Sequence, residues 1–240
     1  MLAVNISPSL LEQYRICYQG LYNKSDKDVV DYIRDDFVIT PIIAEGTAFH
    51  QILEDGPEPY RIGGLRDGAE PTYQVFSPEL RQWFYFTSQE VAPLLEYRAQ
   101  YPDMVYECKT KLWWQNVAGY NIHMSMKIDG LHGLDLHEQK TTQSRYKPTT
   151  AKYKQSMQWR CYLAALPESS RILYNVFHIK RPKRGPAHCV PYQYIFHRYP
   201  GMIEDCRRYL EGLLRFCETR GLIEDLRPEW IKKHDDHTVH

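Results

Sequence analysis

Two short segments on either side of a glycine-bounded turn constrain this chain more than any other part of it. Residues 120 to 129 (YNIHMSMKID) alternate, with Ile122, Met124, Met126 and Ile128 set between more polar neighbours. A period of two is the pattern of a strand with one face buried. Gly130 to Gly133 reads as a turn, and residues 134 to 142 (LDLHEQKTT) read as a strand again. Side chains two apart on a strand share a face. Glu138 and Lys140 therefore point the same way, and a meander can bring Asp129 beside them. Two carboxylates on adjacent strands make a hard oxygen site suited to Mg²⁺ or Mn²⁺. An ammonium next to such a site can hold a phosphate oxygen or orient an attacking water. Taken alone, the same three residues also suit solvated strand ends joined by a cross-strand ion pair.

The rest of the chain fits around this pair. Ser7 is a candidate N-cap with Pro8 at the first helical position, followed by Leu10, Leu11, Tyr14 and Tyr18 at helical spacing. A second helix is predicted over about residues 27–38, and a third over a stretch that includes residues 46–53. Residues 55–72 are rich in Gly, Pro and charge and read as a loop. Residues 77–100 read as helical, starting at Ser77-Pro78-Glu79. Residues 104–114 read as a strand preceding the alternating one. After the Lys140 strand come a helix over 150–165, a strand over 171–180 and an edge strand around 190–196. The last helix, about 202–219, places Ile203, Cys206, Leu210, Leu213, Leu214 and Cys217 on one stripe. This order predicts an α/β fold: a mixed central sheet flanked by helices, with helical additions at both ends. At 240 residues the expectation is a single domain over 1–240. Its parts are a mainly helical stretch (1–103), the sheet and its helix (104–197), and a terminal helix with a polar tail (198–240).

Composition sets milder bounds. Lysine plus arginine equals aspartate plus glutamate, 30 of each, so no overall basic excess advertises nucleic acid. A local basic surface is compatible with that balance. The basic run Lys180 to Arg184 suits either a phosphate contact or a solvated turn. Nineteen tyrosines and five tryptophans suit core and half-buried strands, or platforms for unpaired bases. Cys17, Cys108, Cys161, Cys189, Cys206 and Cys217 form no CxxC pair, which leads us to expect free, mostly buried thiols in a reducing, cytoplasmic setting. No run of about 18 apolar residues and no signal peptide is apparent.

Lys127-Ile128-Asp129-Gly130 followed by Leu136-His137-Glu138-Gln139-Lys140 resembles the PD-(D/E)XK nuclease superfamily. It is most similar to the branch holding the RecB and AddB nuclease domains, Cas4 and related phage exonucleases. Three more features match in order: Ser7-Pro8-Ser9-Leu10 with Tyr14 and Cys17, Gly46 to His50 as a Gly-x-x-x-His helix, and Gln158 to Tyr162 as a Gln-x-x-x-Tyr helix. The resemblance covers roughly residues 7–180. It implies a restriction-endonuclease-like core and a DNA nuclease, an exonuclease first, with a structure- or site-specific endonuclease and a non-catalytic DNA-binding subunit that kept the fold as the alternatives.

The resemblance also implies residue roles. Asp129, Glu138 and Lys140 would be catalytic. Mg²⁺ or Mn²⁺ would be held by Asp129, Glu138, the Gln139 carbonyl and His50. Gln158 and Tyr162 would steady the DNA strand. Read without the resemblance, His50 also suits a core or surface histidine and Tyr162 a core tyrosine. Glu45 and Glu107 are additional acidic candidates. A Met at position 126 departs from the glycine common in that branch. Cys206 and Cys217 lack a cluster spacing, so no iron–sulfur cluster is expected. The implied partners are DNA, a single-strand annealing or other recombination protein, and further copies of the chain, acting in the cytoplasm of a cell or of an infected host.

Overall fold

In the computed structural model, which describes residues 1–36, 38–62 and 72–227, the alternating segment becomes strand β6, Tyr120–His132. One edge of β6 pairs antiparallel with β5 (Val105–Val117) along nearly its whole length. The other edge has two partners in succession. Strand β1 (Leu2–Asn5) runs parallel to residues 120–123. Strand β7 (Asp135–Thr142) pairs antiparallel with residues 130–132. Between them, residues 124–129 of β6 face no strand on that edge.

From β7 the chain crosses through helices to β8 (Arg171–Lys180), parallel to β7, and returns antiparallel as β9 (His188–His197). The order is β1-β6-β7-β8-β9 with β5 flanking β6, a mixed central sheet flanked by helices as the pattern predicts. Strand β8 is buried at every residue from 172 to 179, as a central strand covered on both faces must be.

Two apolar cores lie against this sheet. The larger joins Ile122, Met124, Met126 and Ile128 of β6 to α1 (Pro8–Tyr18), α6 (Met157–Ala165) and α7 (Met202–Thr219). Helix α7 buries the predicted stripe of Cys206, Leu210, Leu213, Leu214 and Cys217. Helix α1 starts where Ser7 Oγ accepts the Leu10 amide at 3.1 Å. The second core joins Phe177 and Ile179 of β8 to α3 (Pro41–Asp55), α4 (Ser88–Gln100) and a three-stranded sheet.

That small sheet is the main departure from the sequence reading. Residues 77–87 are not helical. Strand β3 (Thr72–Ser77) and strand β4 (Gln82–Thr87) form a hairpin, with the two-residue β2 (Arg61–Ile62) beside β3. The reason is visible in alternation: Tyr73, Val75 and Ser77 are buried, as are Phe84 and Phe86, while Phe76, Trp83 and Tyr85 face out. The helix begins only after Thr87, whose side chain accepts the Glu90 amide while the Glu90 carboxylate accepts the Thr87 amide.

Smaller differences have similar local causes. Strand β6 runs through Gly130 to His132, so the turn is confined to Gly133-Leu134, with Gly133 at φ +59°. The predicted 150–165 helix breaks into α5 (Thr150–Lys154) and α6, because Ser156 caps the second piece. Helix α2 is short, Asp26–Ile33, and β1 had no sequence signal. The polar tail from residue 228 and residues 63–71 of the 55–72 loop lie outside the described residues. All six cysteines are free thiols, four of them buried. Among the described residues no helix is long and apolar enough to cross a membrane.

Phe49 anchors α3 by edge-on contacts with Phe86 and Phe177 and is fully buried. Phe49→Ala is expected to cost about 3–5 kcal/mol, read as a lowered urea midpoint at unchanged m-value.

Candidate active site

The gap along β6 opens into a cleft of about 650 Å³, lined by His50, Lys127, Asp129, Glu138, Lys140 and Gln158 among others. Each of these reaches it for a local reason. The β6–β7 ladder ends at Gly130 and His137, so the next amide of β7 that faces β6 has no carbonyl to meet. The Gln139 amide instead donates to Asp129 Oδ2 at 2.8 Å, which fixes the carboxylate at the fork between the strands.

Glu138 is buried at 1% exposure. Its Oε1 accepts a short hydrogen bond from Lys140 Nζ. Its Oε2 is buried with no hydrogen-bond partner. Lys140 Nζ also donates to Gln158 Oε1 at 3.1 Å. Gln158 Nε2 in turn donates to the Tyr162 hydroxyl at 2.8 Å, and that hydroxyl donates to the Lys127 carbonyl at 2.9 Å. The carbonyl belongs to the unpaired stretch of β6, so Tyr162 supplies the partner a neighbouring strand would otherwise give.

Charge is unbalanced here. Burial, and then the Asp129 charge, push the Glu138 carboxyl well above the ordinary carboxylate range, against the pull of Lys140. Burial works to depress the Lys140 ammonium, but the Glu138 and Asp129 carboxylates outweigh it and its pKa is raised. Lys140 is therefore a cation at neutral pH and a donor, not a proton acceptor. His50 is pushed down to about 4, by burial first, against the attraction of Asp129. It is a neutral imidazole under ordinary conditions, as a metal ligand must be.

Glu138, Lys140, Gln158 and Tyr162 form one hydrogen-bonded chain, and Asp129, held by the Gln139 amide, lines the same cleft. His50 lines the same cleft from α3, with Nε2 and Thr141 Oγ1 3.0 Å apart. Among the described residues no three His, Cys, Asp or Glu side chains form a ready-made metal cluster. Glu45 is tied to Arg181 and Gln143, and Glu107 to Lys127 at 2.5 Å. Arg181, from the basic run, holds Glu45 and Glu90 rather than presenting an open charge.

The sequence gives no hint of a second polar assembly behind the site. Gln139 Nε2 donates to the Tyr97 hydroxyl at 3.4 Å. That hydroxyl lies 2.6 Å from His137 Nδ1 and accepts from Asn175 Nδ2 at 3.0 Å. Tyr97 lies 32 residues before Asp129, the nearest of the three catalytic candidates, and only the alternation of β7 (His137 and Gln139 opposite to Glu138 and Lys140) could have pointed to it.

No family model matches the chain, and no curated protein matches it. Solved structures do. A candidate exonuclease from Eubacterium rectale is 11% identical, covering 90% of this chain and 81% of that one, with a TM-score of 0.48. LHK-Exo, solved in complex with dAMP, is 12% identical over 97% and 93%, with a TM-score of 0.41. The protein SSO0001 is 18% identical with a TM-score of 0.37, and the match spans about half of each chain, 52% of this one and 55% of that one.

The buried carboxyl makes a pH prediction with a definite sign. A group whose folded pKa is raised binds more protons folded than unfolded, so stability falls as pH climbs from the ordinary carboxylate range through the raised value. In chelator-treated protein the Tm is expected to decline between about pH 5 and pH 8. Glu138→Gln should flatten that decline, as followed by circular dichroism. An identical slope in the variant would contradict the assignment of Glu138.

Proposed function

We propose that this protein is a divalent-metal-dependent DNA nuclease, acting as an exonuclease, of the kind its motifs resemble. The observation that carries the reading is the pair of carboxylates, Asp129 and Glu138, at a strand fork, with the Lys140 ammonium on Glu138 and all three lining one cleft. Glu138 Oε2 has no partner although it is buried. An orphaned carboxylate oxygen in such a place costs on the order of 1–3 kcal/mol or more. A divalent cation held by Glu138 and Asp129 would remove that cost, so the chemistry of the donor set fits Mg²⁺ or Mn²⁺.

In this reading Asp129, Glu138, the Gln139 carbonyl and the neutral imidazole of His50 would hold the ion. When bound, Mg²⁺ or Mn²⁺ would polarise the phosphodiester and offset charge at phosphorus. The chain's own groups do the remainder. Lys140, kept cationic by the two carboxylates, donates to a phosphate oxygen or aligns the attacking water. Gln158 holds the Lys140 ammonium in place and is itself held by Tyr162. Tyr97, through Gln139, stiffens β7 from behind, so the carbonyl of Gln139 and its amide on Asp129 keep their directions.

The test is digestion of end-labelled linear DNA with Mg²⁺, with Mn²⁺ and with chelator. Chelator should abolish cleavage. Asp129→Ala and Lys140→Ala should each lower the rate at least about 100-fold while DNA binding persists. Full cleavage by both variants overturns the proposal, and rapid nicking of covalently closed circles would overturn the exonuclease part of it.

A further inference from the structure

Strands β5 and β6 run on as a ribbon away from the cleft, joined by β1 at residues 120–123, and one face of that ribbon carries exposed side chains from Lys109, Lys111, Trp113, Ser125 and Lys127. The opposite face packs Leu112, Trp114, Met124 and Met126 into the larger core. On the exposed face, alternation places Lys127, Ser125 and His123 in a row leading away from Asp129. Across from them on β5, the register pairs Lys109 with Lys127, Lys111 with Ser125 and Trp113 with His123. Ser125 and Lys127 line the active-site cleft and also a shallow groove shared with Lys109 and Lys111. The row is therefore continuous with the site.

Three observations point to a ligand. Trp113 is 53% exposed, and its ring lies over His123 with centroids 4.3 Å apart. His123 is only 7% exposed, yet neither ring nitrogen has a hydrogen-bond partner. Among the described residues, Lys109 and Lys111 form no ion pair, while Lys127 is matched by Glu107. The face thus offers two uncompensated cations beside the cleft and, beyond them, an indole braced from beneath.

We propose that this face is a track for single-stranded DNA leading to the scissile phosphate, with Lys109 and Lys111 on the backbone and Trp113 stacking on a base. The proposal deepens the nuclease reading and rests on it for the direction of the strand. From Asp129 to His123 is six residues of strand, about 20 Å at ~3.3 Å each. That equals about six nucleotides at ~3.4 Å each, and fewer in a stretched strand. An exposed ring platform selects unpaired bases, because in a duplex both faces of each base are already stacked. An edge strand such as β5 also gains from lysines that block strand pairing. That role explains Lys109 and Lys111 but leaves the exposed Trp113 on its braced, partnerless histidine without a reason.

The experiment is binding of a fluorescein-labelled oligothymidylate of about twelve nucleotides to the full chain, by anisotropy in chelator, so that cleavage cannot intervene. Trp113→Ala should weaken binding by about 5- to 150-fold, and Trp113→Phe should restore most of it. Lys109→Gln and Lys111→Gln should each lower the slope of log affinity against log salt by about 0.7. A blunt duplex of the same length should bind more weakly and be indifferent to Trp113.

Unchanged oligonucleotide affinity in Trp113→Ala, with its Tm preserved, overturns the track. So does aggregation of the lysine variants with no change in affinity or salt slope. The two readings fail separately. A wild-type chain that binds through Trp113 but never cleaves sinks the nuclease and leaves the track. A chain that cleaves normally without Trp113, Lys109 or Lys111 does the reverse.

Discussion

The site depends on one constraint: strand β6 has to satisfy its backbone along an edge where no strand lies. Residues 120–123 are paired by β1 and residues 130–132 by β7, leaving 124–129 between them. Buried carbonyls and amides seldom go without partners. Here the partners are side chains. The Tyr162 hydroxyl takes the Lys127 carbonyl, and the Asp129 carboxylate takes the Gln139 amide. A break in the ladder is thereby turned into a cleft whose walls are polar atoms with fixed directions.

The same break explains why charge is tolerated so deep in the sheet. Glu138 sits on a central strand with one oxygen on Lys140 and the other on nothing. Two acidic groups and one ammonium leave the fork short of positive charge, and burial magnifies the shortfall. A fold that evolved only for stability would place an apolar residue there, since buried ion pairs are often no better than hydrophobic replacements. Keeping the acid means that part of the protein's stability is given up at the fork. The apolar cores on either side, with Phe49, Phe177 and the α7 stripe, are what make that loss bearable.

How much of this could be read from residues alone follows from the range of the interactions. The strand pair, the α7 stripe, the Ser7 cap and the Glu138–Lys140 relation are local, and period and spacing express them directly. The Gln158–Tyr162 relation is local too, four residues on one helix, and it appears as a hydrogen bond. The β3–β4 hairpin was lost because a serine-proline-glutamate start imitates a helix cap, and its true reason is aromatic alternation against α3. Strand β1 is four residues whose only signal is a partner more than a hundred positions away. Tyr97 is invisible for the same reason, since its partners His137, Gln139 and Asn175 come from two other elements.

These long-range pieces are also the ones that aim the local ones. Strand β7 presents Glu138 and Lys140 to the cleft and His137 and Gln139 to Tyr97, so a single strand is gripped from both sides. Through Gln139 the grip reaches Asp129 without touching it. On the far side of Asp129, β6 carries the same strand direction outward, past Lys127 and Ser125 to His123 beneath Trp113. Any chain laid along that ribbon meets cations before carboxylates, and it meets the carboxylates at the point where the sheet has opened. The unpaired stretch of β6 is thus both the wall of the cleft and the near end of the proposed track, with Ser125 and Lys127 on the face of Asp129 while Met124, Met126 and Ile128 turn to the core.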